Sequence, residues 1–458
     1  MFERTARLSR RRLLGALGAA GASALLAACA QATPTPAPKA PEKPAAAQPT
    51  EAPKPAEAPK PAAATKPAAD AKPAGATPAA KPAAAGPAPA GEPIKIGASI
   101  STTGSNGKIG QYQYEAYLLW EEDVNKRGGL LGRPVKMTIY DDQTDPTTAA
   151  KLYEKLVTDD KVDLVLGPYA SNVTQAVAVV TEKYKQPMLA AGASASDIWK
   201  RNLKYIFGTY SVAEDYFKGV IDLGLKEGYK TAAIIHEDTL FPVSTANGTE
   251  VYAKEKGVQV VLKEKYPAKV TDVSSVLTKV RGLNPDMLLG GSYLPDSLLI
   301  VRQAKELDVN PKLVALSVGA AIPDFVQSLK KDADFVFGPS MWEPEIKTPG
   351  NPEFVKAYTD KWNREPDYHA ASGWTGCQVL EAAVKKVGAL DREKVRDALQ
   401  TLEMETIMPG KYKVDEKGMM VGHIPLVIQW QNEKKAIVYP SDMATGKHVL
   451  PTPPWKSR

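Results

Sequence analysis

The sequence predicts an α/β fold of two lobes, each a mostly parallel sheet flanked by helices. From residue 94 onwards, short runs of branched and aliphatic residues alternate with longer helical patterns. Repeated β-α units of this kind form parallel sheets with helices on both faces. Residues 93–458 number 366, which is more than one hydrophobic core usually holds, so two lobes are expected.

Six runs have the length and composition of buried strands, and four segments between them have helical periodicity. The predicted strands are Ile94–Ile100, Val135–Tyr140, Asp163–Gly167, Thr231–His236, Asp286–Gly291 and Leu313–Leu316. The predicted helices are Gln113–Lys126, Thr147–Asp159, Val173–Lys185 and Asp296–Leu307. Pro425–Trp430 and Lys435–Tyr439 are predicted to form an antiparallel pair added to a parallel sheet. Ligands of open α/β sheets bind beyond the carboxyl ends of the strands, so the loops there are the candidate site.

The first 29 residues have the pattern of an export signal. Arg10, Arg11 and Arg12 precede an apolar run, Leu13 to Ala28, which is too short to span a bilayer comfortably. Ser9 to Leu14 is similar to a twin-arginine signal, with an ordinary basic signal start as the alternative. Leu26-Ala27-Ala28-Cys29 resembles a bacterial lipobox. A lipidated Cys29 would anchor the exported protein to the outer face of the cell membrane; an incidental cysteine is the alternative.

Residues 30–92 are predicted to be a disordered linker. They are nearly all Ala, Pro, Lys, Glu and Thr, and 17 of the 38 prolines lie between Pro34 and Pro93. Such a segment lacks the large apolar side chains of a core and is extended by its proline content. It suits a tether between a lipid anchor and a folded domain, although a proline-rich ligand for a partner domain has a similar composition.

The net charge of +6 belongs to this N-terminal part. Residues 1–29 carry five Arg and one Glu, and residues 30–92 carry seven Lys and five acids. The remaining 366 residues balance 46 bases against 46 acids. We therefore expect no nucleic-acid partner for the folded part.

The sequence predicts neither an enzyme nor a metal or cofactor site. Gly192-Ala193-Ser194-Ala195-Ser196 lacks the closing glycine of a nucleophile elbow. His236-Glu237 has no second histidine four residues after His236, so the zinc-protease motif is absent. Cys377 lies in an Ala/Val-rich helical pattern and is expected to be a buried thiol.

Several ordered motifs together resemble the branched-chain-amino-acid-type substrate-binding proteins of ABC importers, which have the type I periplasmic-binding fold. No single motif is decisive, but their order and spacing across the domain match. The motifs are Ile94-Lys95-Ile96-Gly97 with Thr103-Gly104, the turn Asn125 to Pro134, the segment Tyr140 to Pro146, Val165-Leu166-Gly167-Pro168 with Ser171, and Gln186-Pro187-Met188 followed by Gly192-Ala193-Ser194.

This resemblance implies a lobe 1 of residues 93–211 and 341–419, a lobe 2 of residues 212–340 and 420–440, and a C-terminal tail of residues 441–458. The chain would cross between the lobes near Tyr210, Ser340 and Met420, and a bound ligand would drive hinge closure. The expected partners are a small-molecule ligand and ABC transporter permease subunits. A ligand-sensing receptor subunit remains an alternative, because this fold serves both roles.

The resemblance also implies the ligand site. Ser171 and Asn172 would offer a hydroxyl and a helix N-terminus to a ligand carboxylate, although both residue types are also good N-caps. Gly192 would offer a carbonyl to a ligand ammonium, and Ser194 a hydroxyl and an N–H to the carboxylate. Tight packing is the alternative explanation of the small residues in that loop.

From the second lobe, the resemblance implies Phe241, Tyr293 and Asp296 as ligand-site residues. His369, flanked by Tyr368, matches a cleft-rim position that is aromatic in the family. A histidine whose hydrogen bonds are satisfied at the surface or in the core is the alternative. One departure concerns the acid that holds the ligand ammonium in the family, because Ser317 stands at that position. Either Asp238 or Asp296 takes over the charge or the ligand has no amine. An amino acid or a related carboxylate or amide is therefore the expected ligand.

Overall fold

The computed structural model describes residues 88–458. The predictions on the signal sequence, on Cys29 and on most of the linker lie outside the described residues. In residues 88–458, no helix has both the length and the apolar character needed to cross a membrane.

The first lobe contains a five-stranded parallel sheet. Its strands are β1 (Ile94–Ile100), β2 (Val135–Asp141), β3 (Leu164–Leu166), β4 (Met188–Ala190) and β5 (Ile206–Gly208). They lie in the order β2-β1-β3-β4-β5. The helices that connect them are α1 (Gly107–Lys126), α2 (Pro146–Thr158) and α3 (Ser171–Lys183). Asp145 caps α2 by accepting the Thr148 N–H at 2.7 Å, which fixes where that helix begins.

The second lobe contains a seven-stranded sheet. Its strands are β6 (Thr231–Glu237), β7 (Gln259–Tyr266), β8 (Met287–Gly291), β9 (Leu313–Leu316), β10 (Phe337–Ser340), β11 (Leu426–Gln431) and β12 (Lys434–Tyr439). They lie in the order β12-β11-β10-β9-β8-β6-β7. The strands from β6 to β10 pair in parallel, whereas β11 is antiparallel to both of its neighbours. This confirms the antiparallel pair predicted from the sequence.

Helices cover both sheets. Those of the second lobe are α4 (Lys218–Lys226), α5 (Leu240–Glu255), α6 (Ser274–Leu283), α7 (Leu294–Glu306), α8 (Val318–Ala321) and α9 (Pro323–Leu329). After β10 come α10 (Asn351–Trp362), α11 (Tyr368–Val387) and α12 (Arg392–Thr401). Helix α11 packs against α1 and β4 of the first lobe, and its Cys377 is a fully buried free thiol, as predicted.

The chain passes between the sheets three times. The crossing segments are residues 209–217 after β5, residues 341–350 after β10 and residues 421–425 before β11. These crossings divide the strands between the two sheets. The lobe boundaries inferred from the resemblance stay a prediction. Residues 441–458 lie against the second lobe, where Trp455 is buried and donates its indole N–H to the Val309 carbonyl at 2.9 Å.

The predicted strands and helices are confirmed, with small shifts at their ends. Helix α1 begins at Gly107, six residues before the predicted start, and β3 is shorter than predicted. The sequence did not reveal β4, β5, β7 or β10. Three of these have only three or four residues, and β7 is an edge strand with alternating Lys and Glu, so their hydrophobic patterns are weak.

Candidate functional site

The loops at the carboxyl ends of both sheets meet between the lobes. Tyr169 follows β3 of the first lobe and Tyr293 follows β8 of the second, and their ring centroids lie 6.5 Å apart. At the rim, the Tyr112 hydroxyl of α1 donates to Asp324 of α9 at 3.0 Å. The lobes are therefore in contact around the cleft.

An aromatic cluster fills the centre of this interface. Tyr216 packs edge-on against Phe241 at 5.1 Å, and Phe241 lies 5.5 Å from Tyr293. The hydroxyl of Tyr368 has no hydrogen-bond partner among residues 88–458. The aromatic cluster comprises Tyr169, Tyr210, Tyr216, Phe241, Tyr293, Tyr368 and His369, each at most 5% exposed.

Burial raises the pKa of every tyrosine hydroxyl in the aromatic cluster. These hydroxyls therefore stay protonated at physiological pH, and each remains able to donate a hydrogen bond. A buried cleft with neutral hydroxyl donors on aromatic rings can hold a small organic molecule by packing and orient it by hydrogen bonds.

Ser171 occupies the first turn of α3 and links two loops. Its Oγ accepts the N–H groups of Ser194 and Ala195, each at 3.2 Å. The Ser171 hydroxyl keeps its own proton to donate. The alternative N-cap interpretation is wrong, because Ala170 is the N-cap residue and makes no side-chain cap. Asn172 lies half-buried in the same turn.

Gly192 and Ser194 form a close-packed loop beside Ser171. A Cβ at Gly192 would lie 2.8 Å from the Pro168 carbonyl oxygen and from the Tyr169 Cα, so the backbone leaves no space for a side chain. The Gly192 carbonyl accepts the Ala170 N–H at 3.1 Å. Ser194 donates its hydroxyl to the Tyr216 oxygen at 3.3 Å. The loop of Gly192 and Ser194 is therefore tightly packed and also carries polar groups, so its small residues fit both explanations.

Ser317 holds two loops of the second lobe together. Its hydroxyl donates to the Ser292 carbonyl at 2.7 Å and accepts the Ser292 N–H at 2.8 Å. Both bonds join the loop after β8 to the loop after β9. Ser317 is fully buried, and its hydroxyl proton is already used within the protein.

The two aspartates considered as replacement acids differ in position. Asp238 forms an ion pair with Lys265 at 2.7 Å, and its side chain is 43% exposed. Asp296 is buried and caps α7, accepting the Tyr293 N–H at 2.9 Å and the Tyr266 hydroxyl at 2.6 Å. Burial raises the pKa of Asp296 to about 7. Asp238 therefore points to the surface, whereas Asp296 lies at the cleft.

A cavity of about 430 Å³ opens between the lobes next to Asp296. Glu237, at the end of β6, contributes to its wall, and burial raises the pKa of this carboxyl. The Glu237 carboxylate accepts the Thr239 hydroxyl at 2.6 Å. The lining residues come from both lobes: Gly104, Ser105, Asn106, Glu237, Lys269, Val270, Tyr293, Pro295 and Asp296.

His369 is fixed by a buried acid. Asp367 caps α11 and accepts the N–H of His369 and of Ala370 at 2.9 and 3.0 Å. Its other oxygen lies 2.8 Å from His369 Nδ1, and His369 Nε2 lies 3.3 Å from the Tyr169 hydroxyl. A carboxylate oxygen can only accept, so Nδ1 carries a proton and donates it to Asp367. His369 thus belongs to a network in the cleft.

The structure brings together most of the predicted residues and adds others. Ser171, Gly192 and Ser194 form one group in the first lobe, and Phe241, Tyr293 and Asp296 form another in the second. Sequence reasoning missed Tyr169, Tyr210, Tyr216, Tyr368, Asp367 and Glu237. Tyr169 lies three residues after β3, so the rule for strand-end loops could have found it.

Comparisons with known proteins agree on one family. Residues 93–435 match the family described as periplasmic binding protein. Leu/Ile/Val-binding protein homolog 7 of Brucella suis biovar 1 is 27% identical over 379 residues, which cover 78% of this chain and 94% of that protein.

Two solved structures share the fold. The branched-chain amino acid transporter substrate-binding protein LivJ of Streptococcus pneumoniae, in complex with isoleucine, has a TM-score of 0.68 at 22% identity and covers 79% of this chain and 100% of its own. An ABC transporter solute-binding protein of R. palustris, in complex with benzoate, has a TM-score of 0.69 at 18% identity. The match covers 78% of this chain and 98% of that protein.

Proposed function

This chain belongs to the periplasmic binding protein family, and we propose that it is the extracytoplasmic solute-binding subunit of an ABC importer. The family is extracytoplasmic, and the relatives found are binding proteins rather than enzymes. The observation that carries the proposal is the aromatic cluster with its adjoining cavity, built from the strand-end loops of both lobes. A ligand held there would contact both lobes at once, which favours closure.

The first lobe suits a ligand carboxylate. The Ser171 hydroxyl can donate one hydrogen bond from the first turn of α3, where the helix N-terminus favours negative charge. Ser194 lies in the adjacent loop, and the hydroxyls of Tyr216 and Tyr368 lie in the same cluster. No Lys or Arg belongs to this group, so the proposed carboxylate contact consists of neutral donors and a helix end.

The second lobe suits a ligand ammonium. We propose Glu237 as the acid that replaces the charge missing at Ser317, because its half-buried carboxylate lines the inter-lobe cavity beside Asp296. Asp238 is excluded from this role by its surface ion pair with Lys265. Carboxyl groups on one lobe and hydroxyl donors on the other favour a zwitterion, so we propose an α-amino acid with an apolar side chain as the ligand.

Thermal-shift measurements with paired ligands test this assignment. Leucine and phenylalanine are expected to raise the melting temperature, whereas isocaproate and hydrocinnamate, which lack the amine, should raise it less. Glu237→Gln should abolish the preference for the amine, since losing a charged hydrogen bond costs about 1.5–3 kcal/mol of binding. Asp238→Asn is the matched control and should leave every shift unchanged. A preference for the amine that survives in Glu237→Gln would remove this residue from the site.

A second candidate ligand is an aromatic acid without an amine. The aromatic cluster favours it, and Ser317 carries no charge for an ammonium. Shifts produced by benzoate and hydrocinnamate, with none from the amino acids, would establish this candidate and exclude the zwitterion.

We also propose that the mature chain is anchored at Cys29. Replacing this thiol by Cys29→Ala removes the only sulfur in the lipobox-like segment, so the protein should move from the membrane to the soluble fraction or stay unprocessed. Cell fractionation followed by immunoblotting measures this, with Cys377→Ala as the matched cysteine control. Membrane partitioning identical to that of the unmodified chain would refute lipidation at Cys29.

A further inference from the structure

One histidine outside the cleft joins all three crossing segments. His423 lies in the third, residues 421–425, and its Nδ1 is 2.7 Å from the hydroxyl oxygen of Ser211 and 3.3 Å from the Ser211 nitrogen in the first. Its Nε2 is 2.8 Å from the carbonyl oxygen of Met341 in the second. The imidazole of one crossing segment is thus hydrogen-bonded to the other two, and the three segments are far apart in the sequence.

The partners determine the state of the ring. A carbonyl oxygen can only accept, so Nε2 carries the proton and donates it to Met341. Nδ1 is then an acceptor for the Ser211 N–H and hydroxyl. Burial lowers the pKa of His423 below its usual range, which keeps the ring neutral. Only the neutral imidazole with its proton on Nε2 makes hydrogen bonds to the groups of both neighbouring segments, Ser211 and Met341.

The backbone around His423 is itself held in place. Gly410 and His423 form an antiparallel bridge, and the Ile424 N–H donates to the Pro409 carbonyl at 3.1 Å. On the other side, Ser211 directly follows Tyr210 of the aromatic cluster. The histidine therefore connects the crossings to a residue that lines the proposed ligand cleft.

We infer that His423 is a positioning residue that fastens the three crossings in the closed arrangement of the lobes. This inference rests on the proposed hinge closure, but it needs no particular ligand. When the lobes rotate apart, the crossings must change their relative positions, and this set of hydrogen bonds favours the arrangement in which all are made. Without the imidazole, the buried Met341 carbonyl and the Ser211 N–H lose their partners, and open arrangements gain population.

Distances between spin labels on the two lobes test the inference without added ligand. The labels are placed at Lys161→Cys before β3 and Lys256→Cys after α5, both exposed positions. The full-length chain carries Cys29→Ala, and its remaining thiol, Cys377, is buried. His423→Phe keeps a ring but makes no hydrogen bond. It should raise the ratio of molecules with open distances to molecules with closed distances roughly tenfold or more.

Two further variants separate positioning from general damage. His423→Gln retains one amide donor and one acceptor and should restore much of the closed population. His448→Phe is the matched control, because the His448 ring is hydrogen-bonded to Glu227 of the second lobe at 3.0 Å and not to a crossing segment among the described residues. All distances are recorded where circular dichroism shows each variant fully folded; if His423→Phe does not fold, Ser211→Ala should give a smaller shift in the same direction.

The outcomes are distinct. A distance distribution in His423→Phe, or in Ser211→Ala, equal to that of the labelled parent would overturn the inference. So would an equal shift in His448→Phe. Failure of every ligand in the thermal-shift panel would count against the proposed function alone, because the label distances are measured without ligand.

Discussion

Lys435→Met is expected to destabilise the folded chain by about 1–2 kcal/mol at roughly pH 8, because it leaves a buried carboxyl without its cation and the carboxyl must then hold a proton at a pH about one unit above its pKa. Lys435 on β12 lies 2.5 Å from Glu343 in the second crossing, and their side chains are 10% and 1% exposed. Burial raises the pKa of Glu343 to about 7 even with this cation beside it. Without the cation, the carboxyl must either stay charged in an apolar site or remain protonated although the solution pH is above its pKa.

The pH dependence of this loss has a definite sign. An acid whose pKa is raised on folding contributes stability fully below its unfolded pKa of about 4.5, and that stability is lost as the pH rises through the folded pKa. Removing Lys435 raises the folded pKa of Glu343 further, because this cation lowers it in the parent chain. The variant therefore keeps losing stability at a pH where the parent chain no longer does, and its defect should shrink as the pH falls from about 8 towards about 5. Urea unfolding at both ends of this range measures it.

Two variants control for lost packing. The double variant Lys435→Met with Glu343→Leu should recover most of the stability, since a buried ion pair can be replaced by apolar residues of similar size. Lys434→Met changes the exposed neighbour of Lys435 and should have little effect. Equal destabilisation in the single and double variants would show that stranded charge is not the cause.

Glu381→Gln is expected to cost about 3 kcal/mol of unfolding free energy at neutral pH. Glu381 on α11 accepts two hydrogen bonds from Arg127 at 2.7 and 2.8 Å, one from Lys385 at 2.6 Å and one from the Trp120 indole at 3.0 Å. Burial alone would raise its pKa, but the bonds from Arg127 and Lys385 lower the pKa to about 2. The network ties α11 to α1.

Here the pH dependence has the opposite sign. An acid whose pKa is lowered on folding contributes stability above its unfolded pKa of about 4.5, and this is lost as the pH falls towards the folded value. The difference between Glu381→Gln and the parent chain should therefore narrow below about pH 4.5. Glu403→Gln, at an exposed ion pair with Lys413, should change little. A difference that is independent of pH would show that the charge of Glu381 does not stabilise the fold.

The cleft shows where sequence reasoning succeeds and where it stops. Phe241, Tyr293 and Asp296 lie at the cleft because each follows a strand whose hydrophobic run is evident in the sequence. Tyr210 and Tyr216 were missed because β5, which precedes them, has only three residues. The adjacent acids Glu237 and Asp238 could not be told apart, since neighbouring residues at a strand end point in opposite directions and only the fold shows which direction faces the cleft.

The sequence by itself determined the β-α alternation, the antiparallel pair at the end of the chain and the buried thiol of Cys377, because hydrophobic periodicity is a local property of the chain. The tertiary structure alone decided which polar groups meet. Tyr169 reaches His369, and Ser211 and Met341 reach His423, across separations of 82 to 212 residues. Those contacts depend on strand order and on three crossings between two sheets, and no local pattern of side chains encodes either one.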